Sequence, residues 1–270
     1  MPLWRPGLIR GIKTSVPVSN IQDCQSYLDH CRFNEASIES TIFRGTFYEL
    51  VTKKFLQNQL NCNSLVRAGG AYDNGVDIYG KWDLSKYWNH AVSKISEKEK
   101  LLISPRMFEK STKPILRISR EFYEHFTRVK QPKHQISLKL DIDILVQCKN
   151  HDTKIPALVV REMIGVYHYH VTKKEELRRT IMFLISPKPL TPQGVRQVDT
   201  AQIPIVHCTL TPLLPYLTKK NDIYDLENWG GGILETVYMN GVSRSLLQGL
   251  QIESQMELLK AHSKRKSIIH

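Results

Sequence analysis

The sequence has no apolar run approaching the ~20 residues that a membrane-spanning helix needs. Its longest candidates, such as IMFLI at 181–185, have the length of a core strand, so no membrane insertion is expected. Cysteine is sparse: five residues, at 24, 31, 62, 148 and 208, with no C-x-x-C pair and no metal-ligand spacing. An odd number without a pairing pattern argues for free thiols in a reducing compartment and against a structural zinc site. No internal repeat is visible. Acids are missing from the first 22 residues, where Arg5, Arg10 and Lys13 carry all the charge. An Arg-rich, acid-poor leader of this kind matches a mitochondrial transit peptide, which implies the matrix. Pro2, Pro6 and Pro17 interrupt the amphipathic helix of such a peptide, so a plain basic leader is the other reading.

What is present is a chain of 270 residues, 41% of them hydrophobic, enough for one sizeable α/β domain or a domain with an elaborate insertion. Lysine and arginine number 38 against 26 acids, a formal net charge of +12. That excess suits a polyanionic partner, nucleic acid or an anionic membrane surface. A basic protein with a basic tail and no such partner would have the same composition.

Periodicity outlines the elements. Residues 34–60 place Ile38, Ile42, Phe43, Phe47, Leu50, Val51 and Phe55 at helical spacing, with Asn34 as the expected N-cap. The stretch LVRAGGAYDNGVDIYGKW at 65–82 reads as a strand, a glycine-rich turn and a second strand from near Val76. Residues 83–135 are polar and helix-like; from 81 to 135 there are 13 Lys and Arg against 6 Asp and Glu. They lie between two strands that would otherwise form a hairpin, as a basic helical insertion would. A strand at about 136–149 follows, with Ile142, Ile144, Val146 and Cys148 on one face and Lys139, Asp141, Asp143, Leu145, Gln147 and Lys149 on the other. That alternation predicts a half-buried strand. A helix over 157–170, a buried strand over 178–186, a short helix within 191–202 and a strand over 203–210 come next, and the basic tail from about 244 is helical. The order predicts a mixed α/β sandwich. Leader (1–22), core (34–210, interrupted by 83–135) and C-terminal extension (211–270) are the expected divisions.

Three of these pieces can meet. Asp77 follows a turn in which Gly69, Gly70 and Gly75 let the backbone bend sharply and a ligand come close. If its strand pairs with the one ending at Lys149, Asp77 sits beside Gln147 and Lys149. A carboxylate and an amide oxygen are hard ligands suited to Mg²⁺, and the backbone carbonyl of Cys148 can add a third oxygen. Lys149 can orient a water or offset charge on a phosphate. Glu49 is the fourth candidate, one helical turn after Gly45, whose missing side chain lets that helix face approach a sheet or a phosphate. Taken singly, each has an ordinary reading: a turn aspartate, a solvated strand end, an exposed helix acid. Asp143 lies roughly 13 Å along the strand from Gln147, too far to share a metal, and Asp141 is farther still. His168 and His170 in VYHYH point to different helix faces, and His207 reads as a satisfied core histidine.

The ordered set RGTFYE, GGAYDNGVDI, VQCK and VVREMIG resembles the Mrr-like branch of the PD-(D/E)XK nuclease superfamily, with its restriction endonuclease-like fold. That family's pattern is G-x-x-x-E on a first helix, G-x-x-D-x-G-x-D at a strand start and Q-x-K on the next strand. Gly45 and Glu49, then Gly70, Asp73, Gly75 and Asp77, then Gln147 and Lys149 fall on it. The later IMFLIS and TPQGVRQVDTAQIPIV resemble the family's closing strand–helix–strand, so the likeness spans about residues 40–210. More narrowly, the chain is similar to a fungal mitochondrial member required for respiratory growth. Two features depart: 70 positions separate Asp77 from Gln147 where the family has a short gap, and the tail from 211, including ENWGGGILE, has no counterpart.

The resemblance implies a central mixed β-sheet flanked by helices, and Mg²⁺-dependent hydrolysis of a phosphodiester bond in DNA, with Mn²⁺ as a substitute and RNA not set aside. Asp77, Gln147 and the Cys148 carbonyl would hold the metal, with Glu49 directly or through water, and Lys149 would serve the attacking water. Arg44 and Arg161 would contact phosphates. Cutting both strands of a duplex would favour a homodimer. Two rivals stand beside this: a nuclease fold that binds nucleic acid without cutting it, and a mitochondrial assembly factor that uses the basic insertion and tail to hold a partner.

Overall fold

A computed structural model describes residues 17–68, 74–87, 89, 106–108, 135–137, 142–173, 176–216, 222–247, 250 and 252–268. Gly69, Gly70, Asp73, Asp141 and most of 83–135 lie outside the described residues.

The chain forms a mixed six-stranded sheet flanked by helices on both faces. Strands β1 (Cys62–Arg67), β2 (Ile78–Trp82), β5 (Ile142–Cys148), β6 (Thr180–Ser186), β7 (Ile205–Leu210) and β10 (Leu234–Met239) lie side by side in that order. β5, β6 and β7 are parallel; β1–β2, β2–β5 and β7–β10 are antiparallel. Two small sheets pair β3 (Arg106–Phe108) with β4 (Gln135–Ser137), and β8 (Leu214–Pro215) with β9 (Trp229–Gly230). Within 83–135 the described elements are a short helical stretch at 85–87 and 89 and the strand β3, which pairs with β4 at the insertion's end. The strand expected over 136–149 is two strands in two sheets.

Alternation along the parallel strands builds two cores. Ile142, Ile144, Val146, Ile181, Phe183, Ile185, Val206 and Cys208 face helices α1 (Cys24–Phe33) and α2 (Thr41–Leu60) and the C-terminal helices α5 (Gly241–Leu247) and α6 (Ile252–Ile268). Leu145, Met182, Leu184 and Ile205 face α3 (Ala157–His170) and α4 (Pro192–Thr200), which make the parallel crossovers. β5 keeps the expected alternation, with Ile142, Ile144 and Val146 buried and Asp143 and Leu145 partly exposed on the other face, but Gln147 departs from it and is only 5% exposed.

Caps set the helix limits. α2 opens on Ser40, whose Oγ accepts from the Phe43 N–H at 3.1 Å, and closes on Asn61 in the left-handed conformation (φ 61°). Asn34, the expected N-cap, instead closes α1, which opens on Asp23 accepting from the Ser26 N–H at 2.9 Å. The sheet also continues past residue 210: β10 lies beside β7 and belongs to the same layer as the core. All five cysteines are free. No described helix is long and apolar enough to cross a membrane.

Candidate functional site

The C-terminal end of β5 gathers the sequence-derived candidates, though not on one face. Asp77 stands immediately before β2, one step beyond the Ile78–Val146 pair, and so borders Gln147 across the strands. Its N–H donates to Val146 O (2.9 Å), and its Oδ2 accepts from the Cys148 N–H at 2.6 Å. The turn before it is fixed from the other side. Gly75 has φ +82°, and a Cβ there would lie 2.6 Å from Val166 Cγ2 on α3, so both conformation and contact require glycine. His170 bonds through Nε2 to Asn74 O at 3.3 Å. Gly75 thus gives the sharp bend expected of it, but the group that approaches it closely is Val166 of α3 rather than a ligand.

Glu49 comes from α2, and its Oε2 accepts from Arg67 Nη1 at 3.0 Å. Its charge reaches Cys148. Burial, first, and then the negative charges of Asp77 and Glu49 push the Cys148 thiol well above its ordinary range, while Lys149 pulls in the opposite direction. Both carboxylates and the ammonium therefore lie within electrostatic reach of one sulfur. Gly45 leaves open space: a Cβ there meets nothing within 4 Å, so the sheet does not require a glycine at that position as the sequence suggested.

Gln147 lies in register with Leu184 of the α3-side core, so its side chain alternates to the face opposite Cys148. Its Oε1 is buried and has no hydrogen-bond partner among the described residues. Lys149 continues the strand end, its N–H donating to Ile185 O at 2.9 Å. Asp77 is the link between the two faces: it borders Gln147 across the strands and shares Cys148 with Glu49. Among the described residues no three His, Cys, Asp or Glu side chains are grouped so as to hold a metal.

Arg44 is tied to the loop leaving β5: Asn150 Nδ2 donates to its carbonyl at 2.9 Å, and its Nη2 lies 3.5 Å from Asp152 Oδ1. Arg161 is exposed on α3, on the other side of the sheet. Asp143 pairs instead with Arg179 (3.0 Å), away from the strand end. His207 is a core histidine: Nε2 contacts Ser186 Oγ at 2.9 Å, and burial pushes its pKa down to about 4. Arg67 is the residue that sequence reading passed over. The signal was a basic residue two positions after Leu65 in a strand, where alternation turns it inward.

The chain also has relatives. The family described as Required for respiratory growth protein 7 matches over residues 40–247. The mitochondrial protein of that name from Vanderwaltozyma polyspora is 29% identical over 225 residues, 81% of each chain. That from Zygosaccharomyces rouxii is 27% identical over 256 residues, 93% of this chain and 94% of its own. That from Saccharomyces cerevisiae strain YJM789 is 27% identical over 232 residues, 83% and 86%. No solved structure matches. The mitochondrial location expected from the basic leader is the one these relatives carry in their names. By this match over most of its length, the chain belongs to the Required for respiratory growth protein 7 family.

Proposed function

We propose that this chain is a metal-dependent nuclease that hydrolyses phosphodiester bonds in mitochondrial DNA, on a restriction endonuclease-like core of the PD-(D/E)XK type. The observation that carries the reading is Gln147: a buried amide oxygen without a partner, beside a carboxylate, at the end of a central strand. Leaving such an acceptor unpaired costs on the order of 1–3 kcal/mol, and a site that binds a cation offsets that cost when loaded. Asp77, Gln147 and the Cys148 carbonyl, with Glu49 directly or through water, supply only hard oxygens, the donor type suited to Mg²⁺ or Mn²⁺. A cation bound there would lower the pKa of its water and polarise the phosphoryl oxygens.

The protein groups do the rest. Asp77 is held by the Cys148 N–H, so its carboxylate is oriented before any ligand arrives. Gln147 contributes an oxygen and no charge, which favours one ion over two. Lys149 orients the attacking water and offsets the charge growing on the phosphate. Arg44, beside the open space over Gly45, supports a flanking phosphate as a sequence-independent contact. Arg161, exposed on α3 on the side of the sheet toward which Gln147 alternates, offers a second such contact.

A nuclease fold that binds nucleic acid without cutting it is the second reading, and two observations favour it. Glu49 is already engaged by Arg67, and Gln147 alternates to the opposite face. The relatives' name states a requirement for respiratory growth; loss of a mitochondrial DNA enzyme or of an assembly factor would both produce it. The deciding assay offers circular and linear DNA to the purified chain in Mg²⁺ or in EDTA, with Asp77→Ala alongside. Cutting that needs both Mg²⁺ and Asp77 is the expected result. Retardation of DNA by both proteins with cutting by neither would transfer the assignment to the binding reading.

A further inference from the structure

Arg67 ends β1 with its side chain turned inward and is 3% exposed, a burial that arginine rarely reaches unpaired. Its guanidinium donates from Nη1 to Glu49 Oε2 (3.0 Å), from Nε to Ile21 O (3.2 Å) and from Nη2 to Val18 O. The same N-terminal segment holds its backbone. The Arg67 N–H donates to Gln22 Oε1 (2.9 Å), and Gln22 Nε2 donates to the Arg67 carbonyl (3.2 Å). The Gln22 amide thereby stands in for a neighbouring strand residue at the edge of the sheet. Lys53, one helical turn beyond Glu49, donates to Gln22 Oε1 (2.8 Å) and Gln22 O (3.0 Å). Ile21 is buried in the α2-side core. Residues 17–22 thus form a strap across β1 and α2, knotted at one guanidinium.

We propose that Arg67, locked by this strap, is a positioning residue that fixes the Glu49 carboxylate for a divalent cation; the cation half rests on the reading of Glu49 given above. The planar fork of a guanidinium restricts a carboxylate's orientation in a way that a lysine ammonium does not. Arg67 itself could not keep one conformation without the backbone acceptors at Val18 and Ile21. The strap therefore acts on the site through Arg67 and Glu49. A leader can be trimmed as far as Pro17 with every one of these bonds retained. Trimming past Val18 removes an acceptor from a buried cation.

The test uses the full chain unaltered and as Gln22→Ala, Glu49→Gln, Arg67→Lys, Arg67→Met and the Gln22→Ala/Glu49→Gln double variant. One readout is exchange of the Arg67 Nε–H with water by ¹⁵N NMR; the other is calorimetric titration with Mn²⁺. Neither variant removes the bond from Nε to Ile21 O itself; Gln22→Ala, which frees the strap from the Arg67 backbone, and Glu49→Gln, which weakens the pairing at Nη1, should each speed that exchange about fivefold by loosening the guanidinium's surroundings. Gln22→Ala should weaken Mn²⁺ binding ~10- to 100-fold, as loss of an outer-shell partner does, and should add nothing in the Glu49→Gln background. Arg67→Lys should recover part of the affinity that Arg67→Met loses. Unchanged exchange rates overturn the lock whatever Mn²⁺ does, and so does a Gln22→Ala loss that is equal with and without Glu49. An unaltered chain that takes up no Mn²⁺ while exchange responds as expected overturns the cation half and the metal reading beneath it, and leaves the Arg67–Glu49 lock standing.

Discussion

Two buried amides sit at opposite ends of the same sheet, and the protein treats them differently. Asn240, just after β10, is 0% exposed and saturated: its Nδ2 donates to Val198 O (3.2 Å) and Ile203 O (2.8 Å), and its Oδ1 accepts from the N–H groups of Ile205 (3.1 Å) and Ser243 (2.9 Å). It ties α4, β7 and α5 together at the end where the parallel strands begin. Gln147, near the end of β5, is 5% exposed and leaves its Oε1 without a partner among the described residues. A saturated amide is what the fold needs of a buried polar group, and an unsaturated one is a cost that stability does not explain.

The difference can be broken most forcefully at Asn240. Asn240→Ala takes the amide partner from the Ile203 carbonyl and from the Ile205 and Ser243 N–H groups inside the protein, while Val198 O keeps the Ala201 N–H, and it should cost about 3 kcal/mol in urea unfolding, with no selective effect on any ligand. A loss below about 1 kcal/mol would mean that solvent or rearrangement satisfies those groups, and the contrast with Gln147 would lose its meaning.

A second buried polar side chain, one with a partner, lies in the same row as Gln147. Gln147, Leu184 and His207 are register neighbours across β5, β6 and β7. Ser186 Oγ donates to Lys188 O at 2.7 Å, so the 2.9 Å contact assigns the proton of His207 to Nε2, donating to the hydroxyl. Burial lowers the folded pKa of His207 from 6.5 to about 4. The folded state then binds fewer protons than the unfolded one between those values. The stability contributed by neutral His207 is complete above pH ~6.5 and falls as the pH drops through that value toward 4, by up to roughly 3 kcal/mol. Unfolding free energies at pH 7 and pH 4.5, compared with those of His207→Gln, isolate this part of the acid sensitivity. An identical pH slope in both proteins would show that His207 is hydrated or charged in the fold.

Between these effects and the smallest stands the turn that delivers Asp77. Gly75→Ala demands a left-handed conformation of alanine and forces its Cβ onto Val166, and should cost about 2 kcal/mol. Adding Val166→Ala should return only the contact part of that loss. Full recovery would show that φ +82° is not what the turn requires. Because Asp77 follows two residues later, the proposed cleavage should fall further than stability does in the single variant.

The fold was legible where a periodic pattern had no competitor. The helix at 157–170 emerges with those limits because Val160, Met163 and Tyr167 recur on one face and Pro156 precedes it. β6 and β7 follow from apolar runs buried on both sides. The start of α2 was misplaced because Asn34 and Ser40 both have cap chemistry, and only α1, whose Cys24, Tyr27, Leu28 and Cys31 pack inward, takes Asn34 for its own end. β10 escaped because LETVYM alternates weakly and follows three glycines, so its pairing with β7 is a tertiary fact. At the site, spacing located the end of β5, the turn before Asp77 and the helix of Glu49. It could not see that Gln147 and Glu49 lie toward opposite faces, nor that Arg67 reaches across from β1, because both depend on which helix covers which side of the sheet.

The smallest expected change in stability is the most informative. Gln147→Met keeps the length and most of the volume of the side chain and removes the orphaned oxygen. If that acceptor is retained for a ligand, its loss should leave unfolding unchanged or raise stability by up to about 1 kcal/mol, since no hydrogen bond to Oε1 is broken. On the proposed nuclease reading the same variant should lose Mg²⁺-dependent cutting of DNA while still retarding it in a gel, because the net charge of +12 is unchanged. Asn240→Ala does the reverse, spending stability without selecting a ligand. A Gln147→Met protein destabilised by 2 kcal/mol or so would make Gln147 a second Asn240, its oxygen satisfied by water, and the strongest support for a metal at the end of β5 would be gone.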